Sequence, residues 1–431
     1  MTEREFIEIQ AAYFREQEKE ACTCLGVELE HFIIDGTTGR SYSYDEPNGQ
    51  RDLLNKLMGS GWEILTVEEG NPLGLEMDGD TITLEPGGQL EISLRPFPKV
   101  AQIVARYRRV LRDICDHLED NQRIASVGYH PLSKINELPL LPKARYGLMF
   151  EHFKGSGTHG HNMMKGTAAT QVSIDYTSEE DFIAKFRTAN FLSPVLSMIF
   201  DGSPVFEGDL YEGKGLRMHI WDHTDPERSK VVPGALDQQF GYEAYAKYIL
   251  NSPPILITKD DQTIYTGKTR VCDLLHKDFT EVEREHLLGM VFPDVRLKKY
   301  IEIRMADALP MPYAMAVPAL IKGIFYDKDN LKRYYELSQV FTDQDVKEMN
   351  RLVQASGRPC YKGFDLKLMA EQLINDALKV LEADEADYLE ELKEILVAYG
   401  SVTAYLAAIR KTSNQDFIEA ISVGGKHERA K

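Results

Sequence analysis

Residues 80–95 read DTITLEPGGQLEISLR, and the fold turns on how this stretch is taken. Apolar and polar residues alternate on both sides of Pro86-Gly87-Gly88, which predicts two strands joined by a tight turn. Pro86 fixes its own φ, and the two glycines admit positive φ and the close approach of a ligand. Carboxylates stand at both ends of the turn, Glu85 and Glu91, which an ordinary hairpin does not require. Side chains alternate faces along a strand, so Gln89, Glu91 and Ser93 share one face and Leu90, Ile92 and Leu94 the other.

The same pattern recurs at distant points of the chain. In Val27-Glu28-Leu29-Glu30 the two glutamates share one face. In Gln171-Val172-Ser173-Ile174-Asp175 the polar residues do, and in Tyr300-Ile301-Glu302-Ile303-Arg304-Met305 so do Glu302 and Arg304. Each segment alone is explained by an antiparallel sheet with one wet face. If these strands are neighbours in one curved sheet, however, the carboxylates converge, and burying like charges together is costly unless cations balance them. Hard divalent cations do so; Mg²⁺ takes oxygen ligands at about 2.0–2.1 Å. Arg304 beside Glu302 then suggests a second anion in the same place, such as a phosphate.

Around these strands the chain reads as a mixed α+β protein. Helical spacing is expected over residues 5–21, 51–60 and 179–200, and over a long amphipathic helix at 98–124. Strands are expected at 24–35, 167–176 and 298–306. After about residue 315 the pattern turns helical, with Leu366, Met369, Leu373, Ala377 and Leu381 on one stripe, and the last residues, Gly424–Lys431, are expected to fray. The expected partition is a catalytic domain over 1–330 and a helical C-terminal region over 331–431 packed upon it.

Composition bounds the function. The formal net charge of −18 argues against nucleic acid or an anionic membrane as the main partner. Five scattered cysteines, Cys22, Cys24, Cys115, Cys272 and Cys360, fit reduced thiols rather than a disulfide framework. Cys22 and Cys24 form a C-x-C pair without a second pair at zinc-ligand spacing. The acidic, mixed N-terminus lacks the character of a signal or transit peptide, so a cytoplasmic location is expected.

These segments resemble the glutamate–cysteine ligase family in its plant and proteobacterial branch. The resemblance is carried by Gly26–Glu30, Ile82–Glu91, Thr170–Asp175, Lys185-Phe186-Arg187, Gly202-Ser203-Pro204, Arg217–Trp221 with Thr224, Asp225 and Arg228, and Tyr300–Arg304. It implies a glutamine-synthetase-like funnel built from a curved antiparallel sheet, flanked by helices, with Mg²⁺ at its narrow part. It further implies Glu28, Glu30, Glu85, Glu91 and Glu302 as metal ligands, with Gln171 beside the metal and nucleotide. Arg304 would contact the transferred phosphoryl group, and Arg217 and Arg228 would bind substrate carboxylate or nucleotide phosphate. The implied reaction is ATP-dependent ligation of the glutamate γ-carboxylate to the amine of cysteine through a γ-glutamyl phosphate. Partners would be the small-molecule substrates glutamate, cysteine and ATP, acting on a monomer or homodimer. Gly166 stands where plant-like members tend to have arginine, and Phe153–Met164 is unlike them, which leaves another amine acceptor open.

Competing motifs carry less. Gly155–Gly160 matches G-x-G-x-x-G, but no apolar strand precedes it, so a loop with exposed His159 and His161 is expected instead of a dinucleotide site. Gly267-Lys268-Thr269 lacks the first glycine of a P-loop. His219 and Trp221 sit in a strand-like run and read as a packed polar pair. A hydrolase using two carboxylates is the alternative from another reaction class, and a catalytically dead homologue would have lost Glu28, Glu302 or Arg304.

Overall fold

The computed structural model describes residues 1–21, 23–259, 262–276, 279–355 and 359–424. Cys22 of the C-x-C pair and residues 425–431 of the expected frayed tail lie outside the described residues, while Cys24 is a half-buried free thiol.

Ten strands form the main sheet. In chain order they are β1 (Leu25–Asp35), β2 (Glu63–Glu68), β3 (Asn71–Met77), β4 (Asp80–Leu84), β5 (Leu90–Phe97), β6 (Gln122–Ala125), β7 (Thr170–Ile174), β8 (Val295–Leu297), β9 (Ile301–Ile303) and β10 (Ser422–Val423). The spatial order is β8-β9-β7-β1-β5-β4-β3-β2, with β6 against the far half of β1 and β10 against β6. All the pairings are antiparallel. The expected hairpin is β4–β5, and the expected strands at 24–35, 167–176 and 298–306 are β1, β7 and β9 at its side.

The alternation predicted from sequence sorts the two faces. Val27, Leu29, Ile82, Leu84, Leu90, Ile92, Leu94, Val172, Ile174, Val295, Leu297, Ile301 and Ile303 are all buried on one of them. Helix α3 (Val100–Cys115), helix α6 (Glu179–Ile199) and the apolar helix Tyr313–Phe325 cover that face. The core thus forms between sheet and helices, leaving the polar face free for chemistry. His31 continues the apolar face: its Nε2 pairs with the Tyr107 hydroxyl at 2.6 Å, and burial pushes its pKa down to about 4, so it is a neutral core residue.

Three expectations change. Helix α3 stops at Cys115 instead of running to 124, because Gln122 turns back to accept from the Glu119 amide and donate to Asn48 O, and residues 122–125 enter the sheet. The β2–β3 meander was not foreseen; Gly70 at positive φ and Pro72 break an otherwise alternating run. Finally, residue 330 falls inside the helix Lys328–Ser338, and one hydrophobic core runs across that boundary. The C-terminal helices are tied in by polar contacts: Lys322 Nζ meets Glu385 at 2.6 Å, and Thr403 Oγ1 donates to Asp201. No single helix among the described residues is long and apolar enough to cross a membrane.

Candidate active site

The strand registers set the site. Directly paired residues of an antiparallel ladder lie on the same face, about 4.5–5.5 Å apart. One row runs Arg296–Glu302–Ser173–Gly26, the next Gln171–Glu28–Ser93–Thr81, and the third Glu30–Glu91–Thr83–Gly74. Four of the expected glutamates therefore stand in adjacent rows of one polar face. The fifth, Glu85, sits at the turn, where Gly88 takes φ +80° and lets the chain fold back from Glu85 to Gln89. Gly88 N–H donates to Glu85 O at 2.8 Å, and Gln89 Oε1 accepts from Gly87 N–H, so the turn holds itself rigid.

The electrostatics of this face are those of an uncompensated cluster. Burial, then the charges of Glu91 and Glu302, raise the Glu28 carboxyl to about 8. Burial and Glu85 raise Glu91 to about 7. Glu30 is held well above the usual carboxylate range by burial and by Glu85 and Glu91, and Glu85 is raised by burial. Half-buried oxygen donors that repel one another in this way are the donor set of a hard divalent cation, which would restore them to the ionised form. The residues present fit Mg²⁺.

Glu302 differs. Burial alone would raise it, but Arg296, Lys298 and Arg304 hold it well below the usual range. Its Oε2 accepts from Arg296 Nε at 2.6 Å and from Arg304 Nη1 at 2.9 Å. Its Oε1 is met only by Lys298 Nζ at 3.4 Å, so that oxygen is the one it can offer to a metal. Arg304 Nη1 also donates to Gln171 Oε1, while Gln171 Nε2 donates to Glu30 Oε1 at 3.1 Å. Gln171 thus bridges a candidate metal ligand and the candidate phosphate clamp.

Arg217 and Arg228 separate. Arg217 lies on helix α7 (Leu216–Asp222) and donates from Nη2 to Arg304 O at 3.1 Å and from Nη1 to Met305 O at 3.3 Å. It fixes the backbone that carries Arg304, and burial lowers its pKa, with Asp307 and Glu30 opposing. Arg228 is set back from the sheet face. Its side chain is buried in this structure, in an ion pair with Asp225 and donating from Nε to Pro253 O, while its Nη2 has no partner among the described residues. The strand-like run around His219 and Trp221 is corrected: it is the helix α7. His161 is not a free loop residue either; it stacks on Phe150 at 3.7 Å.

Several cations of the site carry no signal in the sequence. Arg296 and Lys298 reach Glu302 from β8 and its turn. Arg145, on helix α4 (Ala144–Phe153), and Lys143 just before it act on Glu85. A cavity of about 300 Å³ opens beside them, lined by Arg145, Lys298, Lys299, Tyr300 and His286. That is ligand-sized. A second hollow of about 20 Å³, between Arg217, Trp221, Asp294 and Arg304, has room for about one water.

The departure at Gly166 has a steric cause. Gly166 ends helix α5 (Gly160–Gly166), and a Cβ there would meet the Tyr129 ring at 2.5 Å. Tyr129 is held by Glu207 and Asn162, so the ring fills the place where a longer side chain would stand.

Residues 24–415 match the description glutamate-cysteine ligase family 2. Glutamate–cysteine ligase B, chloroplastic, of Oryza sativa subsp. japonica is 31% identical over 386 residues, covering 86% of this chain and 77% of the relative. The chloroplastic glutamate–cysteine ligase of Arabidopsis thaliana is 31% identical over 386 residues, covering 86% and 73%. Among solved structures, a glutamate–cysteine ligase of Francisella tularensis in complex with AMP superposes with a TM-score of 0.56 at 12% identity, covering 94% of this chain and 88% of that one; at that identity it supports the fold. The expectation of a plainly cytoplasmic protein is overturned by the plant relatives, whose names place them in the chloroplast.

Proposed function

The chain belongs to glutamate-cysteine ligase family 2, and from that premise we propose that it joins the γ-carboxylate of glutamate to the amine of cysteine, with ATP as the activating substrate. The observation that carries this reading is the convergence of Glu28, Glu30, Glu85 and Glu91 on one sheet face, next to the Arg296–Glu302–Arg304 group. The names of the plant relatives and the AMP held by the Francisella ligase agree with it.

A carboxylate does not acylate an amine at neutral pH until an oxygen is turned into a leaving group. The γ-carboxylate of glutamate attacks the γ-phosphorus of ATP, ADP leaves, and the acceptor amine then displaces phosphate from the acyl phosphate. In such transfers the protein mainly positions groups and neutralises charge. Glu28, Glu30, Glu85, Glu91 and the Oε1 of Glu302 would hold Mg²⁺, which when bound offsets phosphate charge. Arg304 is aimed from the same face, and its planar fork can hold two phosphoryl oxygens at once. Gln171 and Arg217 set its position. Arg145 and Lys298 bring positive charge to the adjoining cavity, where Lys299 is paired with Glu285 at 2.8 Å.

Phosphate release from ATP with glutamate, across a panel of amines, tests the reading. Release that requires glutamate and is fastest with cysteine is expected. A non-thiol amine at least about tenfold better would replace cysteine as the acceptor, and no glutamate-dependent release with any amine would remove the ligase reading altogether.

A further inference from the structure

Three histidines that the ligase reading does not use come together away from the sheet. His219 and His223 lie one turn apart on and at the end of α7, and His159 is brought to them by the loop before α5, whose Thr158 and His159 amides both donate to His223 O at 2.9 and 3.0 Å. The rings are close: 4.2 Å between His219 and His223, 5.2 Å between His159 and His219, and 5.6 Å between His159 and His223. One ring nitrogen of each lies within 4.8 Å of the others.

We propose that His159, His219 and His223 form a transition-metal site, of the kind that takes Zn²⁺, separate from the carboxylate cluster. Imidazole suits Zn²⁺, Cu²⁺ and Ni²⁺, whereas Mg²⁺ prefers oxygen, so the two sites select different ions. The second contacts of His159 and His223 orient their rings as a metal site needs, and His219 has a side-chain hydrogen bond with Gln354. His223 Nδ1 lies 2.8 Å from His219 O; a carbonyl only accepts, so Nδ1 carries the proton and Nε2 keeps its lone pair. His159 Nδ1 is taken by Thr158 Oγ1 at 2.8 Å, which leaves its Nε2 for the metal. Tetrahedral Zn–N bonds of about 2.0–2.1 Å require the nitrogens, now within 4.8 Å of one another, to draw in to about 3.3 Å. Three protein ligands leave a fourth position for water.

At 100° per residue, His219 and His223 project from the side of α7 opposite Arg217. An ion there bridges the 153–167 segment, which supports the Gln89 turn through Met164 O and Thr167 O, to the helix that positions Arg304. The site would act as a clamp between these two supports and does not depend on which amine the enzyme uses.

Metal-stripped full-length protein is titrated with Co²⁺ in excess Mg²⁺, so that the carboxylates are occupied. One equivalent is expected, with the visible absorption of a nitrogen-ligated four- or five-coordinate ion, displaced by Zn²⁺ and accompanied by a rise in Tm. His223→Ala, at an exposed position, and His159→Gln are each expected to lose that band and to weaken Co²⁺ binding by at least about tenfold. An unchanged band and stoichiometry in the double variant, or no such band in the parent protein, would overturn the site.

Discussion

Replacing Glu28 by glutamine separates what the carboxylate cluster does for catalysis from what it does to the fold. Glutamine keeps the shape and removes one charge. A carboxyl raised from its usual value of about 4.5 to about 8 binds protons in the folded state that the unfolded chain has already released. The folded state therefore loses stability as pH rises through that window, and the metal-free protein carries the deficit in full only above it. Taken alone the shift corresponds to at most about 5 kcal/mol at 1.36 kcal/mol per pH unit. Glu91 and Glu302 share in it, so about 2 kcal/mol is the share expected for Glu28. With an unfolding entropy of about 2.1 cal/mol/K per residue, a chain of 431 residues converts this into roughly 2 °C. In EDTA at pH 8.5 Glu28→Gln is thus expected to melt about 2 °C above the parent protein, and the gap to close near pH 4.5. Excess Mg²⁺ is expected to raise the Tm of the parent more than that of the variant, and ligation by the variant to fall below detection. Scanning calorimetry or a dye-based melt across pH, with and without Mg²⁺, reads all of this. A variant that melts lower than the parent in EDTA at high pH, or gains as much from Mg²⁺, would refute the picture of four repelling ligands awaiting a cation.

Other residues give shorter tests. Arg304→Lys keeps the charge but not the fork, and turnover is expected to fall by about 10²–10³-fold with a smaller change in glutamate KM; full turnover would leave Arg304 as a mere partner of Glu302. Arg228→Met takes the guanidinium from buried Asp225, which keeps His152 Nε2 at 3.5 Å and the Glu227 amide, and is expected to destabilise by about 3 kcal/mol in a denaturant melt, while folded protein retains the parent KM for glutamate and ATP; a large KM change would show a substrate role. Gly166→Ala drives a methyl into the Tyr129 ring and is expected to cost about 1–3 kcal/mol by the same melt; an unchanged Tm would mean that the ring moves aside. Because burial pulls His31 down to about 4 and His130 to about 3, both gain protons on unfolding below pH 6.5; in melts with excess Mg²⁺, which removes the opposing trend of the carboxylates, Tm is expected to drop as pH falls through 6.5 toward 4, and a flat Tm there would contradict the burial of the two neutral rings.

The glutamates of the site were legible because a strand has a period of two: Glu28 and Glu30, and Glu91 with Gln89 and Ser93, are sorted to one face before any partner strand is known. The same period gave the hairpin at 80–95 and its neighbours. What could not be read was pairing at a distance. Arg296 sits in Val-Arg-Leu, a run that any half-buried strand could show, and only the register opposite Glu302 gives it a role. Arg145 and Lys143 belong to a helix start whose sequence says nothing of Glu85. Residues 217–221 alternate over too few positions to tell a strand from a helix, and the helix won because Gly215, in the left-handed region at φ +58°, starts it. The partner of Arg228 was legible: Asp225 lies three residues before it, the spacing of a local ion pair. His159 is sixty residues from His219 in the chain, and the fold alone joins them.

The most direct test of the central claim follows an oxygen atom. Glutamate labelled with ¹⁸O in its γ-carboxylate is supplied with ATP, Mg²⁺ and cysteine, and both products are analysed by mass spectrometry. The account predicts γ-glutamylcysteine and phosphate in equal amounts, with one ¹⁸O carried from glutamate into each phosphate, and neither product from Glu28→Gln. Dipeptide formed with no ¹⁸O in the phosphate, or phosphate formed without any glutamyl amide, would contradict it.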